Sequence, residues 1–213
     1  MACIAWSCAM DKADLAPDSS YAADGAADCT AIVTIKKSSS DTVFFQLNES
    51  TTLFPYAWQD KFVKVQRLYC RLHMDAATVG TFGRRTDVLW AEPLEEGLFT
   101  YEAAAGADGL DLLEDWMTCV EDGFLTLHYS AWWGRNAVQH HFSVVAGGNP
   151  DDPYELLLVH DACGDARDEQ ADALIYFDIN ALPQTDEYKT LTLKWTDCAG
   201  KPSEKKFSFK SRQ

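Results

Sequence analysis

The sequence has few basic residues and no long apolar run. Its 213 residues include 18 Lys plus Arg against 33 Asp plus Glu, so the formal charge is −15 with histidine neutral. Phosphate backbones are bound by clustered Lys and Arg, so this balance disfavours a nucleic-acid partner. No apolar stretch approaches the roughly 18 to 20 residues that a membrane-spanning helix needs. With 47% hydrophobic and 12% aromatic residues, the composition predicts a folded, acidic protein rather than a disordered chain.

The motifs of common catalytic and metal sites are also missing. The sequence has no Gly-x-Ser-x-Gly elbow, no Cys in a recognisable nucleophile motif and no Cys-x-x-Cys pair. The neighbours His140 and His141 would point to opposite faces of a strand, and His160 with Cys163 supplies only two ligands, so neither pair predicts a metal site. The acidic stretch 161–172 lacks the ligand spacing of an EF-hand and predicts a solvated loop.

These absences predict a protein without a cofactor and without enzymatic activity. One enzymatic alternative stays open, because a glycosidase needs only two carboxylates, which any two loops can supply. With 33 acidic residues the sequence cannot nominate such a pair.

Alternation of apolar and polar side chains is the main pattern from residue 30 onward, and it predicts an all-β protein. Five closely spaced strand candidates predict a small OB-like barrel, which closes on itself and so has no exposed sheet edges. They lie at residues 31–36, 43–47, 51–56, 62–74 and 87–91. Between the last two, the glycine-containing stretch 80–85 predicts a turn.

Seven further candidates predict a two-sheet β-sandwich. They lie at residues 116–120, 124–132, 138–145, 154–160, 173–178, 189–196 and 205–211. The stretch between the two sets is interrupted by Pro and Gly and rich in small residues, which is typical of a linker. We therefore expect four parts, namely a leader remnant and tether (1–28), a barrel (29–94), a linker (95–109) and a seven-stranded sandwich (110–213).

The first residues have some features of a bacterial lipoprotein leader. Ala5 lies three residues before Cys8 and Ser7 lies just before it, as at the end of such a leader, in which Cys8 would be acylated. Met1 leaves no room for the basic region and the apolar core of about 7 to 15 residues that a signal peptide requires. A chance apolar start is the alternative. The residues from Ala9 to Asp28 are small and polar and predict a tether.

The seven cysteines are widely spaced, and the sequence leaves their pairing open. Cys70 alternates with Leu68, Leu72 and Met74 on a predicted apolar strand face, so we expect a buried thiol. If Cys8 carries lipid and the preceding residues are removed, five cysteines remain, enough for at most two disulfides.

Aromatic residues provide the candidate binding residues. Trp132 and Trp133 directly follow a predicted strand, so one indole should face the core and the other should lie near the surface. Trp58 follows Pro55 in a predicted loop. Exposed indoles are common at protein and sugar interfaces, so Trp58, Trp132, Trp133 and the neighbouring Arg135 are candidate ligand-binding residues. The alternative is that each indole only caps the end of a sheet.

Several segments resemble the NigD-like family of lipoproteins from Gram-negative gut and oral anaerobes. They are residues 34–39, 45–55, 115–116, 121–127, 133–134, 149–156 and 191–195. The resemblance extends over residues 29–212 and implies an OB-like domain followed by a β-sandwich. It also implies a lipid anchor on Cys8 in the cell envelope. The family is named after a gene of a bacteriocin operon for which an immunity-type role has been suggested, and the resemblance implies no catalytic residues.

The sequence thus predicts a non-enzymatic lipoprotein of a Gram-negative cell envelope that binds a protein or an oligosaccharide. We expect contact with the membrane only through the lipid anchor. The alternative is a bacteriocin-immunity or inhibitor protein that neutralises a basic partner, for which an acidic surface would be suited.

Overall fold

The computed structural model describes residues 27–48, 51–58, 66–81, 83–136 and 138–211. These residues form strands and irregular segments only, so the all-β prediction is confirmed. They divide into two compact units between Leu94 and Glu95. In this part of the chain there is no helix with the length and apolar character to span a membrane. Cys8 and most of the predicted tether lie outside the described residues, whereas its last two residues, 27–28, belong to the first strand.

The first unit is a closed five-stranded barrel. Its strands are β1 (Ala27–Lys37), β2 (Val43–Gln46), β3 (Thr52–Pro55), β4 (Arg67–Val79) and β5 (Gly83–Pro93). The order around the barrel is β1-β2-β3-β5-β4, and β4 returns to β1. Because alternate side chains of a strand point to opposite faces, Val33, Phe45, Leu53 and Leu68 point into the barrel, where they are fully buried. The OB-like barrel is therefore confirmed.

The hairpin of β4 and β5 is longer than the sequence pattern predicts. The turn expected over residues 80–85 is shorter, because β4 continues to Val79 and β5 already begins at Gly83. Arg71 pairs with Trp90 and Leu72 pairs with Val88, so Leu89 is the extra residue of a β-bulge. The bulge places Leu89 and Trp90 together on the outside of the barrel, 51% and 40% exposed. An alternation rule cannot predict two consecutive outward residues.

The second unit is a sandwich of two five-stranded sheets. Its strands are β6 (Glu95–Glu96), β7 (Leu98–Thr100), β8 (Asp111–Leu112), β9 (Cys119–Glu121), β10 (Phe124–Trp133), β11 (His141–Ala146), β12 (Glu155–Asp161), β13 (Glu169–Asp178), β14 (Lys189–Thr196) and β15 (Pro202–Phe209). One sheet has the order β6-β13-β10-β8, with β9 also paired to β10, and the other has the order β15-β14-β12-β11-β7. Their facing side chains, among them Leu127, Val144, Phe177 and Leu193, form one core. The β-sandwich is confirmed.

The structure differs from the sequence prediction at residues 95–109. This predicted linker begins with β6 and β7, which belong to opposite sheets of the sandwich, so the chain crosses between the sheets there. Gly97 makes the crossing possible, since a Cβ at this position would lie 2.1 Å from the ring of Phe177. The seven predicted strands correspond to β9 to β15, and the additional β6, β7 and β8 are too short to produce a period-two pattern.

The five cysteines in the described part of the chain, Cys29, Cys70, Cys119, Cys163 and Cys198, are free thiols. Cys70 is fully buried in the barrel core, as its alternation predicts. Burial raises the pKa of this thiol far above its ordinary value, which keeps the group protonated and unreactive.

Candidate functional site

Two buried histidines lie side by side at one end of the sandwich. His160 is in β12 and pairs with Phe142 of β11, and His140 lies two residues before Phe142. Both imidazoles point inward and are at most 4% exposed. Because a buried imidazole must find hydrogen-bond partners, the environment of these two rings is specific.

The two imidazoles and a carboxylate form a hydrogen-bonded chain. Nε2 of His140 lies 3.2 Å from Oδ2 of Asp165, and Nδ1 of His140 lies 3.0 Å from Nε2 of His160. Asp165 also accepts the backbone N–H groups of Gly134, at 2.7 Å, and Ala166, at 2.9 Å. The Gly134 bond is the main cause that lowers the pKa of Asp165, so the chain begins at an ionised carboxylate.

Aromatic stacking fixes both imidazole rings. The indole of Trp133 lies on His140 with ring centres 4.1 Å apart and an interplanar angle of 10°. The ring of Phe142 lies on His160 at 4.6 Å and 3°. Trp133 is itself oriented by a hydrogen bond of 3.3 Å from Nε1 to the carbonyl of Ala171. The ring nitrogens of His140 and His160 are therefore held in defined positions.

The Trp-Gly pair at the end of β10 has a clear structural role at this site. Trp133 supplies the stacking partner of His140, and Gly134 donates its N–H to Asp165. A Cβ on residue 134 would lie 2.2 Å from Oδ1 of Asp165, so only glycine allows the carboxylate to approach.

The hydrogen-bonded chain ends at a small pocket of about 10 Å³. Its lining residues are Asp108, Gly109, Trp132, His160, Ala162, Asp165 and Arg167. Asp108 accepts the N–H of Ala162 at 2.9 Å, and Arg167 reaches the other oxygen of Asp108 at 3.5 Å. A cavity of this size holds about one water-sized group.

The predicted binding residues lie in two different units. Trp132 lines the pocket, and Trp133 packs against the sandwich core. Arg135 is exposed, and its backbone N–H is bound by Asp168 at 3.2 Å. Trp58 lies in the barrel, packed edge-on against Phe45 at 5.0 Å. The structure thus gathers three of the four residues at one end of the sandwich, and their role in binding stays a prediction.

The chain of Asp165, His140 and His160 is a feature that sequence reasoning missed. The expectation of a solvated acidic loop over 161–172 is wrong for Asp165, whose side chain is only 2% exposed. Its loop lies against the end of β10, where the carboxylate accepts the backbone N–H of Gly134. Strand alternation carried a signal, since His140 shares the inward face of Phe142, and His160 shares the inward face of Leu158.

A third buried histidine, His128 of β10, has partners on both ring nitrogens. Its Nδ1 lies 2.5 Å from Asp115 and its Nε2 lies 3.0 Å from Asp172, so both nitrogens are engaged. Asp115 also accepts the N–H of Met117 at 2.9 Å, which secures the segment between β8 and β9. Within the described ranges, no cluster of three His, Cys, Asp or Glu side chains has the geometry of a metal site.

The negative charge of the chain is concentrated in the sandwich part. Residues 95–213 contain 22 Asp plus Glu and 9 Lys plus Arg, a net charge of −13. Residues 27–94 contain 7 and 8, a net charge of +1. The negative electrostatic field of the protein therefore originates mainly from the unit that holds the pocket.

The family model of the NigD-like C-terminal beta sandwich domain matches residues 92–209. The chain belongs to the NigD-like family. In this NigD-like protein the match covers every strand of the second unit, from β6 to β15. No curated protein matches the chain.

Three solved structures share the fold of this NigD-like chain. A candidate toxin-related protein from Parabacteroides distasonis is 17% identical with a TM-score of 0.68, over 86% of this chain and 94% of that one. A candidate lipoprotein from Bacteroides fragilis is 10% identical with a TM-score of 0.60, over 87% and 100%. A NigD-like immunity protein from Bacteroides caccae is 15% identical with a TM-score of 0.52, over 83% and 90%. At these identities the similarity concerns the fold.

Proposed function

We propose that this NigD-like chain is a non-enzymatic binding protein of the cell envelope, anchored through lipid on Cys8, whose sandwich binds a basic protein. The observation that carries the proposal is the net charge of −13 on residues 95–213 beside +1 on residues 27–94. A concentrated field of one sign accelerates the encounter with an oppositely charged partner and rejects partners of like charge.

A protein ligand suits the geometry better than an oligosaccharide. The pocket of about 10 Å³ has room for one small group and not for a sugar ring. Two of the candidate indoles, Trp58 and Trp133, are partly buried and pack against the interiors of their own units, so part of each ring is already in contact with the protein itself. A protein partner needs no deep cavity, because it gains its contact area over a broad surface.

The same geometry supports a role without catalysis. The hydrogen-bonded histidine chain resembles a proton relay, but the described walls of its pocket contain neither Ser nor Cys to act as a nucleophile. We therefore expect no hydrolytic activity from the unaltered protein. The variant His160→Gln, which lacks the candidate general base, should give the same result in a hydrolase assay.

The lipid anchor can be tested by metabolic labelling. Cys8 lies outside the described residues, and support comes from the sequence around it and from the family of lipoproteins that the chain resembles. Cells fed a labelled fatty acid should label the full-length protein and the Cys3→Ser variant but not the Cys8→Ser variant. Label retained by Cys8→Ser, or absent from the unaltered protein, would contradict the anchor.

The acidic sandwich can be tested with two matched charge variants. The first carries Asp168→Asn and Glu169→Gln on the sandwich, and the second carries Asp87→Asn and Glu92→Gln on the barrel, all at exposed positions. Each pair changes the net charge equally. With the basic protein captured from envelope extracts, the association rate should fall for the sandwich pair only, and it should fall steeply as ionic strength rises. Equal effects of the two pairs, or a captured partner that is acidic, would overturn the proposal.

An immunity-type inhibitor is the second candidate function. It is favoured by the acidic sandwich, which suits a basic toxin, and by the fold shared with the immunity protein from Bacteroides caccae. An inhibitor should abolish the activity of its captured partner at a ratio of one to one, whereas a receptor or scaffold should leave that activity intact.

A further inference from the structure

Both ends of the buried chain are hydrogen-bond acceptors. At one end the ionised carboxylate of Asp165 can only accept, so Nε2 of His140 carries a proton. At the other end the backbone carbonyl of Gly109 accepts a hydrogen bond from His160, and this contact acts to raise the pKa of His160. Since Nε2 of His160 faces His140, the nitrogen that donates to Gly109 is Nδ1. Both outer nitrogens of the imidazole pair are therefore protonated.

The contact between the two rings holds one further proton. Nδ1 of His140 and Nε2 of His160 lie 3.0 Å apart, which is a hydrogen-bond distance. Two N–H groups would repel each other at this distance, and so would two lone pairs, so one nitrogen donates and the other accepts. The four ring nitrogens thus carry three protons. Two neutral imidazoles carry only two, so the pair has a charge of +1 whichever ring holds the inner proton.

The surroundings of the pair suit a buried cation. Asp165 is only 2% exposed, and among the described side chains His140 is the basic group in ion-pair contact with it. A buried carboxylate without a counter-charge is strongly unfavourable, and a protonated imidazole supplies that charge. The indole of Trp133 lies face-on against His140 at 4.1 Å, and an indole face attracts cations. Burial and the neighbouring His140 lower the pKa of His160, so the charge resides mainly on His140.

We propose that His140 and His160 share three protons at neutral pH and form a buried cation, which holds the loop of residues 162–168 against the end of β10. This loop supplies Asp165, and its Asp168 N–H donates to the carbonyl of Trp133 at 3.1 Å. Loss of the inner proton in alkaline solution removes the positive charge beside the buried carboxylate. The loop should then loosen, so the pair acts as a pH-sensitive clamp. The clamp is a property of this chain and does not depend on the proposed partner.

Other ionisable groups surround the pair and must be separated from it. Besides Asp165, they are Glu95, Asp108, His141, Asp161, Arg167 and Cys198. Aspartate and arginine do not normally titrate in mildly alkaline solution. Burial raises the pKa of Cys198 to about 11, which is above this range. Burial also raises the pKa of Glu95, so Glu95→Gln is the control for that carboxyl group, and His141 is followed through its own signals.

The protons can be counted by ¹⁵N NMR of the histidine side chains in the full chain, because an unprotonated ring nitrogen resonates far downfield of a protonated one. At pH 7.5 only about one in ten imidazoles with the ordinary pKa of about 6.5 carries a charge. We expect the pair to keep three protons at this pH, with unprotonated character confined to the two inner nitrogens. Two fully unprotonated nitrogens, one in each ring, would overturn the proposal.

Two Asp→Asn variants of neighbouring positions separate the hydrogen bond from a general effect of charge. Asp165→Asn removes the charge that balances the pair, and its amide can donate as well as accept, so the pair should hold two protons at pH 7.5. Asp161→Asn removes a carboxylate that acts on His160 only electrostatically, so the pair should keep three. Equal proton counts in the two variants would contradict the role of Asp165. If Asp165→Asn does not fold, the count in the unaltered protein decides the proposal.

The clamp itself can be tested by amide hydrogen exchange. The protection factor of the Asp168 N–H should fall at least fivefold between the pH at which the pair holds three protons and the pH at which it holds two. The internal control is the Asp197 N–H, which donates to the carbonyl of Lys201 at 2.8 Å in the turn between β14 and β15. Unchanged protection of Asp168 after the proton is lost, or an equal fall at Asp197, would overturn the clamp.

Discussion

The barrel and the sandwich differ in what they bury and in what they expose. The barrel core is a ring of apolar side chains around Phe45, and its most exposed apolar pair, Leu89 and Trp90, points outward at a bulge. The sandwich buries a polar chain of Asp165, His140 and His160 at one end of its apolar core. The barrel also buries a polar contact, since Nη1 of Arg67 donates to Oγ1 of Thr34 at 3.1 Å. The sandwich differs in that its interior contains a carboxylate and two imidazoles linked in series.

The barrel and the sandwich also differ in net charge. The barrel part is close to neutral at +1, and the sandwich part carries −13. A net charge of −15 for the whole chain therefore describes neither unit. The nearly neutral barrel adds little to electrostatic steering, and specificity for a basic partner should be a property of the sandwich.

The largest effect is expected from the core of the barrel. Phe45 is fully buried and packs against the indole of Trp58, so Phe45→Ala should lower the free energy of unfolding by about 3 to 5 kcal/mol. Denaturant unfolding measures the change. The sandwich site should survive as judged by the ¹⁵N NMR signals of the His160 and His128 side chains, since packing defects in one unit need not disturb the hydrogen-bonded histidines of the other. Loss of these signals under native conditions would show that the two units are not separate in stability.

A smaller loss is expected when the polar chain of the sandwich is disturbed. In Gly134→Ala the new Cβ would lie 2.2 Å from Asp165 Oδ1, and the displacement should cost about 1 to 3 kcal/mol of stability. Gly148→Ala is the matched control, because no atom lies within 4 Å of its Cβ. Equal stabilities of the two variants would mean that the approach of Asp165 to residue 134 is not required.

The sequence predicts the architecture of both units better than it predicts the site. Strand alternation is sufficient for the barrel and for β9 to β15, because each strand has one buried and one exposed face. Alternation fails to predict the bulge at Leu89, where two consecutive side chains point outward. It also fails for the short strands on either side of Gly97, where the chain crosses between the sheets.

The site is harder to predict because it depends on contacts between distant residues. Trp132, Trp133 and Arg135 were found from their residue types, but their relation to His140 requires the stacking that only the fold creates. Asp165 is one of several carboxylates in an acidic loop, and nothing in the local sequence distinguishes this buried carboxylate from its exposed neighbours.

The smallest effect is expected from the exposed apolar pair of the barrel, and it tests the comparison most directly. Leu89→Ala should change stability by less than about 0.5 kcal/mol, because half of the residue is exposed. Trp90→Ala should cost about 0.5 to 1.5 kcal/mol, because its indole packs edge-on against Tyr69 with ring centres 5.2 Å apart. If the sandwich alone binds the basic partner, the double variant should capture it with unchanged affinity. A marked loss of affinity in the folded double variant would place an apolar contact on the barrel, and recognition would then be shared between the acidic sandwich and this apolar pair.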